Sequence, residues 1–159
     1  MLGCGLAVTD AVVVIQWHVL AMFVPSFFSG SLVERFGAER VLVAGIALLF
    51  GHVAIAASGV QFLHFLSALV LLGVGWNLAF VAGTTLLSTT CAPEDRPRAQ
   101  ALNEALVFGS VALASLSAGW LLARWDWKTL NLAMVPLLAV AGYLALSASR
   151  SRPAPKSRA

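Results

Sequence analysis

The charged residues of this chain fall in clusters, and the gaps between clusters limit what it can fold into. After Asp10 no charge occurs until Glu34, and the group Glu34, Arg35, Glu39, Arg40 is followed by none until Glu94. Glu94, Asp95, Arg96, Arg98 and Glu104 then precede a clean run to Arg124, and Arg124, Asp126 and Lys128 precede another to Arg150. A bilayer core about 30 Å thick takes roughly 20 apolar residues per helix. Residues 11–33, 105–123 and 129–149 each fit one crossing, and 41–93 fits two with a turn at 57–61. The expected fold is therefore an all-α membrane protein of five transmembrane helices.

Composition excludes the alternatives. Of 159 residues, 60% are hydrophobic and 11% charged, whereas a soluble domain carries about 25% charged residues. An ordinary soluble enzyme, a disordered chain and a nucleic-acid binder are all excluded on that ground. Open sheet edges cannot sit in lipid, and the runs are too long and too uniform for outer-membrane barrel strands. Nor could so few polar residues cover this much apolar surface in a soluble core of this size.

The same charges orient the chain. Counting alternate sides, one face receives Arg35, Arg40, Arg96, Arg98, Arg150, Arg152, Lys156 and Arg158, and the other only Arg124 and Lys128. Positive residues favour the cytoplasmic side, which puts the C-terminus in the cytoplasm and the residues near Asp10 outside. Trp120, Trp125 and Trp127 then fall at the outer border, as an interfacial aromatic belt would. Residues 1–149 form the transmembrane unit, and the basic, proline-containing tail 150–159 is too polar to pack and is expected to be disordered. Residues 1–9 are apolar without a basic leader, and read as the outer end of an earlier helix in a longer chain.

Expected spans are about 12–33, bent at Pro25, 41–57, 62–89, 99–123 and 130–147. Polar groups within them are the candidate pathway, since they are costly in lipid unless they face protein or water. The first span offers Gln16, His18 and Ser26, the third Asn77, Thr84 and Thr85, and the fourth Asn103 and Glu104. Asn77 and Thr84, seven residues apart, share a helix face. Most serine and threonine hydroxyls are expected to bond their own helix. A histidine can exchange a proton near neutral pH, so His18 could carry a proton or simply tie two helices together.

One loop is diagnostic. Gly30-Ser-Leu32-Val-Glu34-Arg35-Phe-Gly37-Ala-Glu39-Arg40 ends one span and begins the next. It resembles the signature loop of the major facilitator superfamily, roughly G-x-L-x-D-R-x-G-x-R-R, with Glu34 where that pattern usually has aspartate and Glu39 where it often has a base. Gly30 would let helices pack closely and Gly37 would allow the turn. In that family the loop's acid sits near a helix N-terminus of the opposite half, where the helix dipole favours negative charge, and the contact breaks when the transporter rocks.

The second loop, Cys91-Ala-Pro-Glu94-Asp95-Arg96-Pro-Arg98-Ala-Gln100, looks like the connection between helices ten and eleven of such carriers. The basic tail after the last span selects the second occurrence of the signature loop. The resemblance thus implies the C-terminal half of a twelve-helix bundle, helices eight to twelve plus the end of helix seven. It favours Gln16, His18, Trp76, Asn77, Thr84 and Asn103 as pathway groups, and Gly30, Leu32, Glu34, Arg35, Gly37 and Arg40 as the conformational loop. It implies a multi-pass protein of the bacterial inner membrane whose partners are the bilayer, a missing N-terminal half and a small organic solute, moved by alternating access.

No enzyme is expected: H-E-x-x-H, C-x-x-C and Walker motifs are missing, and Gly73-Val-Gly75 lies within a span and lacks a third glycine. Neither cofactor nor metal is implied. The competing class is a small helical membrane partner protein without transport activity of its own, which leaves the signature loop unexplained.

Overall fold

The computed structural model describes residues 5–151, with side chains described to residue 147, and every regular element among them is a helix. In order these are α1 (Val8–Phe23), α2 (Ser26–Phe36), α3 (Ala38–Ser58), α4 (Phe62–Thr90), α5 (Arg96–Arg124), α6 (Trp127–Leu132) and α7 (Val135–Ser151). Four segments are long and apolar enough to cross a membrane: α3, α4, α5 and the continuous stretch Trp127–Ser147. Helices α1 and α2 pass the same test as a pair bent by 41°, which makes a fifth crossing if the pair is one broken span. The chain is an all-α, multi-pass membrane bundle.

Pro25 sits at the bend of the first span. It carries no N–H and cannot continue the ladder begun in α1, so the helix closes with the Val24 N–H on the Leu20 carbonyl and restarts at Ser26. The last span breaks for the same reason. Pro136 lies in the first turn of α7, and Ala133 and Met134 separate that helix from α6.

Two boundaries differ from expectation. Residues 8 and 9, assigned above to an earlier helix, open α1 instead: Gly5 turns the chain at φ 84°, and Asp10 lies in the first helical turn, where the dipole favours a carboxylate. Helix α5 begins at Arg96 rather than near residue 99, with Pro97 in the first turn, a position that has no N–H bond to lose. Residues 1–4, including Cys4, and 152–159, most of the expected tail, lie outside the described residues.

The core is the crossing of α4 with α3 on one side and α1 on the other. Glycines set its closeness. A Cβ on Gly45 would lie 2.7 Å from the Ala79 nitrogen and 2.9 Å from the Gly75 carbonyl oxygen, and one on Gly73 would lie 2.8 Å from the His18 carbonyl oxygen. Backbones that approach this closely gain dispersion contacts that lipid cannot supply. Where α2 lies against α3 and α4, Val41, Leu78 and Ala82 are buried together, covered by Leu32 and Val33 of α2. Phe65 is buried under Trp127, whose ring lies 5.0 Å away and whose Nε1 donates to the Ala56 carbonyl at 3.1 Å. Of the three border tryptophans, Trp127 is thus a packing anchor, while Trp120 and Trp125 are exposed. Helix α5 contributes no buried residue.

Candidate functional site

The hairpin between α2 and α3 is a single residue. Gly37 adopts φ 87°, ψ 146° and caps both helices, a conformation essentially reserved for glycine. Glu34 and Arg35 are exposed on the last turn of α2, with the Arg35 guanidinium 5.4 Å from the Phe36 ring. Leu32 packs inward against the buried cluster. Arg40 lines an apolar recess with Leu32, Phe36, Val41, Ala44 and Leu78. The close packing expected at Gly30 does not occur within this chain, since a Cβ there would meet nothing within 4 Å. The helix is exposed at that point.

Inside the spans, α4 is tied to its neighbours by side chains that reach its backbone. His18 Nδ1 lies 2.7 Å from the Leu69 carbonyl oxygen and His52 Nδ1 lies 2.9 Å from that of Ala68. Two helices thereby grip adjacent carbonyls of a third. A carbonyl only accepts, so the protonated nitrogen of each ring is Nδ1 and a neutral ring keeps its lone pair on Nε2. Asn77, 6% exposed, bridges the bend of the first span, its Nδ2 donating to the Met22 carbonyl at 2.8 Å and to Ser26 Oγ at 2.6 Å. Its Oδ1 is buried without a partner.

The candidate pathway residues do not form one cluster. Trp76 and Asn77 line a recess of about 280 Å³ together with Met22, Phe23, Ser26, Phe80, Val81 and Phe108. Trp76 also borders a second recess of about 260 Å³, and Thr84 and Asn103 fall there. The Thr84 hydroxyl bonds the Phe80 and Val81 carbonyls of its own helix, while its carbonyl accepts from Gln100 of α5 at 3.0 Å. Gln16 is exposed on α1. His52 is 8% exposed and joins α3 to α4. Phe80 and Phe108 were not singled out, although Phe80 stands one helical turn from Trp76, the spacing at which two rings meet.

A bent span, glycine-tight crossings and buried polar ties within an apolar bundle define a polytopic membrane protein in which broken backbone borders a recess. The chain belongs to the Major Facilitator Superfamily, whose family profile matches residues 5–159. It is 43% identical over 140 residues to the riboflavin transporter RfnT of Brucella anthropi, a match covering 88% of this chain and 35% of that protein. Over 140 residues it is 32% identical to the uncharacterized MFS-type transporter YddS of Bacillus subtilis, covering 86% of this chain and 32% of that protein. YdeG of the same organism is 31% identical over 121 residues, covering 75% and 28%. The chain thus spans about a third of the length of these curated relatives. No solved structure matches.

Proposed function

We propose that this chain supplies the C-terminal half of a secondary-active carrier that moves a small organic solute across the bacterial inner membrane by alternating access. The first span through the last would then be helices eight to twelve, with the basic tail in the cytoplasm. Riboflavin is the first solute to assay, because the relative that is 43% identical is named for it. The observation that carries the reading is the hairpin at Gly37: its turn is formed, yet Glu34, Arg35 and Gly30 face outward. A loop built for contact with an opposite half would look like this in the absence of that half. Proton coupling would run through His18 Nε2, the ring nitrogen that Leu69 does not engage.

The test is flux into vesicles. The chain alone, five spans on one side of a pathway, should pass no riboflavin. Co-expressed with the N-terminal half of the Brucella relative, it should restore saturable uptake and co-purify with that half. Co-purification without flux of any solute tried would favour the helical partner protein. Neither flux nor co-purification would sink the carrier reading.

A further inference from the structure

Three successive turns of α4 lie along the first span, and the third of them meets its break. Leu69 offers its carbonyl to His18 Nδ1 at 2.7 Å. Four residues on, Gly73 lets the two backbones meet, since a Cβ there would lie 2.8 Å from the His18 carbonyl oxygen and 2.9 Å from the Ala21 Cβ. Four further on, Asn77 reaches the break itself. Residues four apart share a helix face. The first two contacts therefore fix α1 to α4, and the third falls where Pro25 interrupts the ladder.

Asn77 joins the two sides of that break with one atom. Its Nδ2 donates to the carbonyl of Met22, in the last turn of α1, at 2.8 Å, and to the Oγ of Ser26, the first residue of α2, at 2.6 Å. A carbonyl only accepts, so the atom beside it is the amide nitrogen, and its two hydrogens serve the two helices. Pro25 has no N–H to give to the preceding turn, and this clasp strengthens the joint where the ladder is weakest. The other end of the amide is unmet, because Oδ1 is buried without a partner. A buried acceptor left empty works against the position that buries it. The clasped position is thus held by two hydrogen bonds and opposed by one empty acceptor, a balance that suits a joint with two positions better than a rigid elbow.

Beyond the joint, α2 is lightly held. Ser29 is its buried residue, Phe27 and Phe28 are exposed, and a Cβ on Gly30 would meet nothing within 4 Å. Helix α1 is packed along α4 far more extensively than α2 is.

We propose that the Pro25 break is a two-position joint and that the Asn77 amide is its latch. With the latch closed the span keeps its bend of 41°. With it released, α2 turns about Pro25 and carries the Gly37 hairpin with it, while α1 stays on α4. The joint stands on this chain's own geometry, and its place in a transport cycle rests on the carrier reading above.

The experiment reads distances between pairs of nitroxide labels by pulsed dipolar spectroscopy, on the chain in lipid nanodiscs with Cys4 and Cys91 replaced by serine. Labels at Val12→Cys and Ser31→Cys, both exposed positions, straddle the joint, and Val12→Cys with Leu63→Cys on α4 is the reference pair. Ser31 lies about 8 Å along the helix axis from the break, so a swing of about 20° moves its label by about 3 Å. Wild type should show one dominant distance. Asn77→Leu removes both arms of the clasp and should raise the ratio of a second distance to the first about tenfold. Ser26→Ala removes one arm and should raise it about threefold, the scale of one intramembrane side-chain bond. Ser26→Thr keeps the hydroxyl and should keep the wild-type distribution. An unchanged single distance in Asn77→Leu overturns the latch. So does a reference pair that shifts along with the joint, because Asn77 would then hold the bundle rather than the bend. Should Asn77→Leu fail to fold, Ser26→Ala decides, and a distribution identical with that of Ser26→Thr overturns the clasp. Riboflavin flux by the assembled carrier that ignores Asn77→Leu would leave the carrier standing and remove the joint from its cycle. A second distance without flux of any solute would leave the joint standing without the carrier.

Discussion

Replacing Gly45 by alanine tests whether the closeness of α3 and α4 holds the bundle together. The new Cβ would sit 2.7 Å from the Ala79 nitrogen and 2.9 Å from the Gly75 oxygen, both backbone atoms, against ordinary contact from 3.4 Å. The helices must therefore part by about 0.7 Å at that point, and a radial gap of this size forfeits roughly a quarter to a half of each remaining contact's well depth. Overpacking of this kind costs about 1–3 kcal/mol. The His52 bond to the Ala68 carbonyl, now 2.9 Å, lies along the same interface, and its loss adds about 0.6 kcal/mol, the typical worth of an intramembrane side-chain bond. The expected destabilisation is about 2–4 kcal/mol, read by reversible SDS unfolding of the chain in mixed micelles. Gly109→Ala is the control, because a Cβ there meets nothing within 4 Å; it should be neutral or stabilise by up to about 1 kcal/mol through helix propensity. Gly75 faces the same contact from the other side, so adding Gly75→Ala to Gly45→Ala should cost less than the sum of the two singles. If Gly45→Ala and Gly109→Ala unfold alike, close glycine packing is not what joins α3 to α4.

Three further outcomes are expected. Gly37→Ala forces a side chain into φ 87° and should cost about 1–3 kcal/mol in the same unfolding assay; an unchanged midpoint would mean the hairpin relaxes freely. The Thr129 side chain, ahead of the backbone N–H groups at the start of α6, holds the Asp126 carboxyl below its ordinary 3.8. A depressed carboxyl stabilises above its unfolded value and loses that contribution as pH falls through the folded one. The stability difference between wild type and Asp126→Ala should therefore shrink on acidification below 3.8 and be weakened by salt, since the group is exposed; a difference that grows in acid would contradict the assigned hydrogen bond. His18→Asn keeps a donor near the Leu69 carbonyl and removes the second ring nitrogen, so uptake by the assembled carrier should lose its dependence on external pH. An unaltered profile would end the case for coupling through His18.

Much of the architecture was legible because lipid imposes a rule that sequence cannot hide. Charge-free runs of 20 or so residues must be helices, and Ala38–Ser58 and Phe62–Thr90 match the expected second and third spans to within three residues. Pro25 announced the bend and Gly37 the turn, each through its own backbone chemistry. Partners were harder to read. His52 looks like any polar residue on an apolar helix until α4 is placed beside it, and its burial depends on a crossing angle that no local pattern encodes. Asn77 and Thr84 share a helix face by periodicity, yet one reaches across to Met22 and Ser26 while the other bonds its own turn. Arg40 reads as a loop charge, yet it lines the apolar recess beside Leu32 and Phe36. One-residue differences in helix start, such as Ala38 directly after Gly37, decide which of two adjacent side chains faces which neighbour.

The distribution of burial bears on which parts could move. Glycine contacts and histidine ties concentrate on α4 and its two neighbours, so separating those helices would expose several polar groups to lipid at once. Helix α5 buries none of its residues, and its described link to α4 near its first turns is the Gln100 bond to the Thr84 carbonyl. Segments with few buried contacts open at low free-energy cost. The recess beside Trp76 is bounded by α4 on its rigid side, by Phe108 of the loosely held α5 on another, and by the broken first span on a third. An occupant would thus contact one fixed wall and two that can shift. That is the arrangement by which differential binding to two states can bias an equilibrium between them.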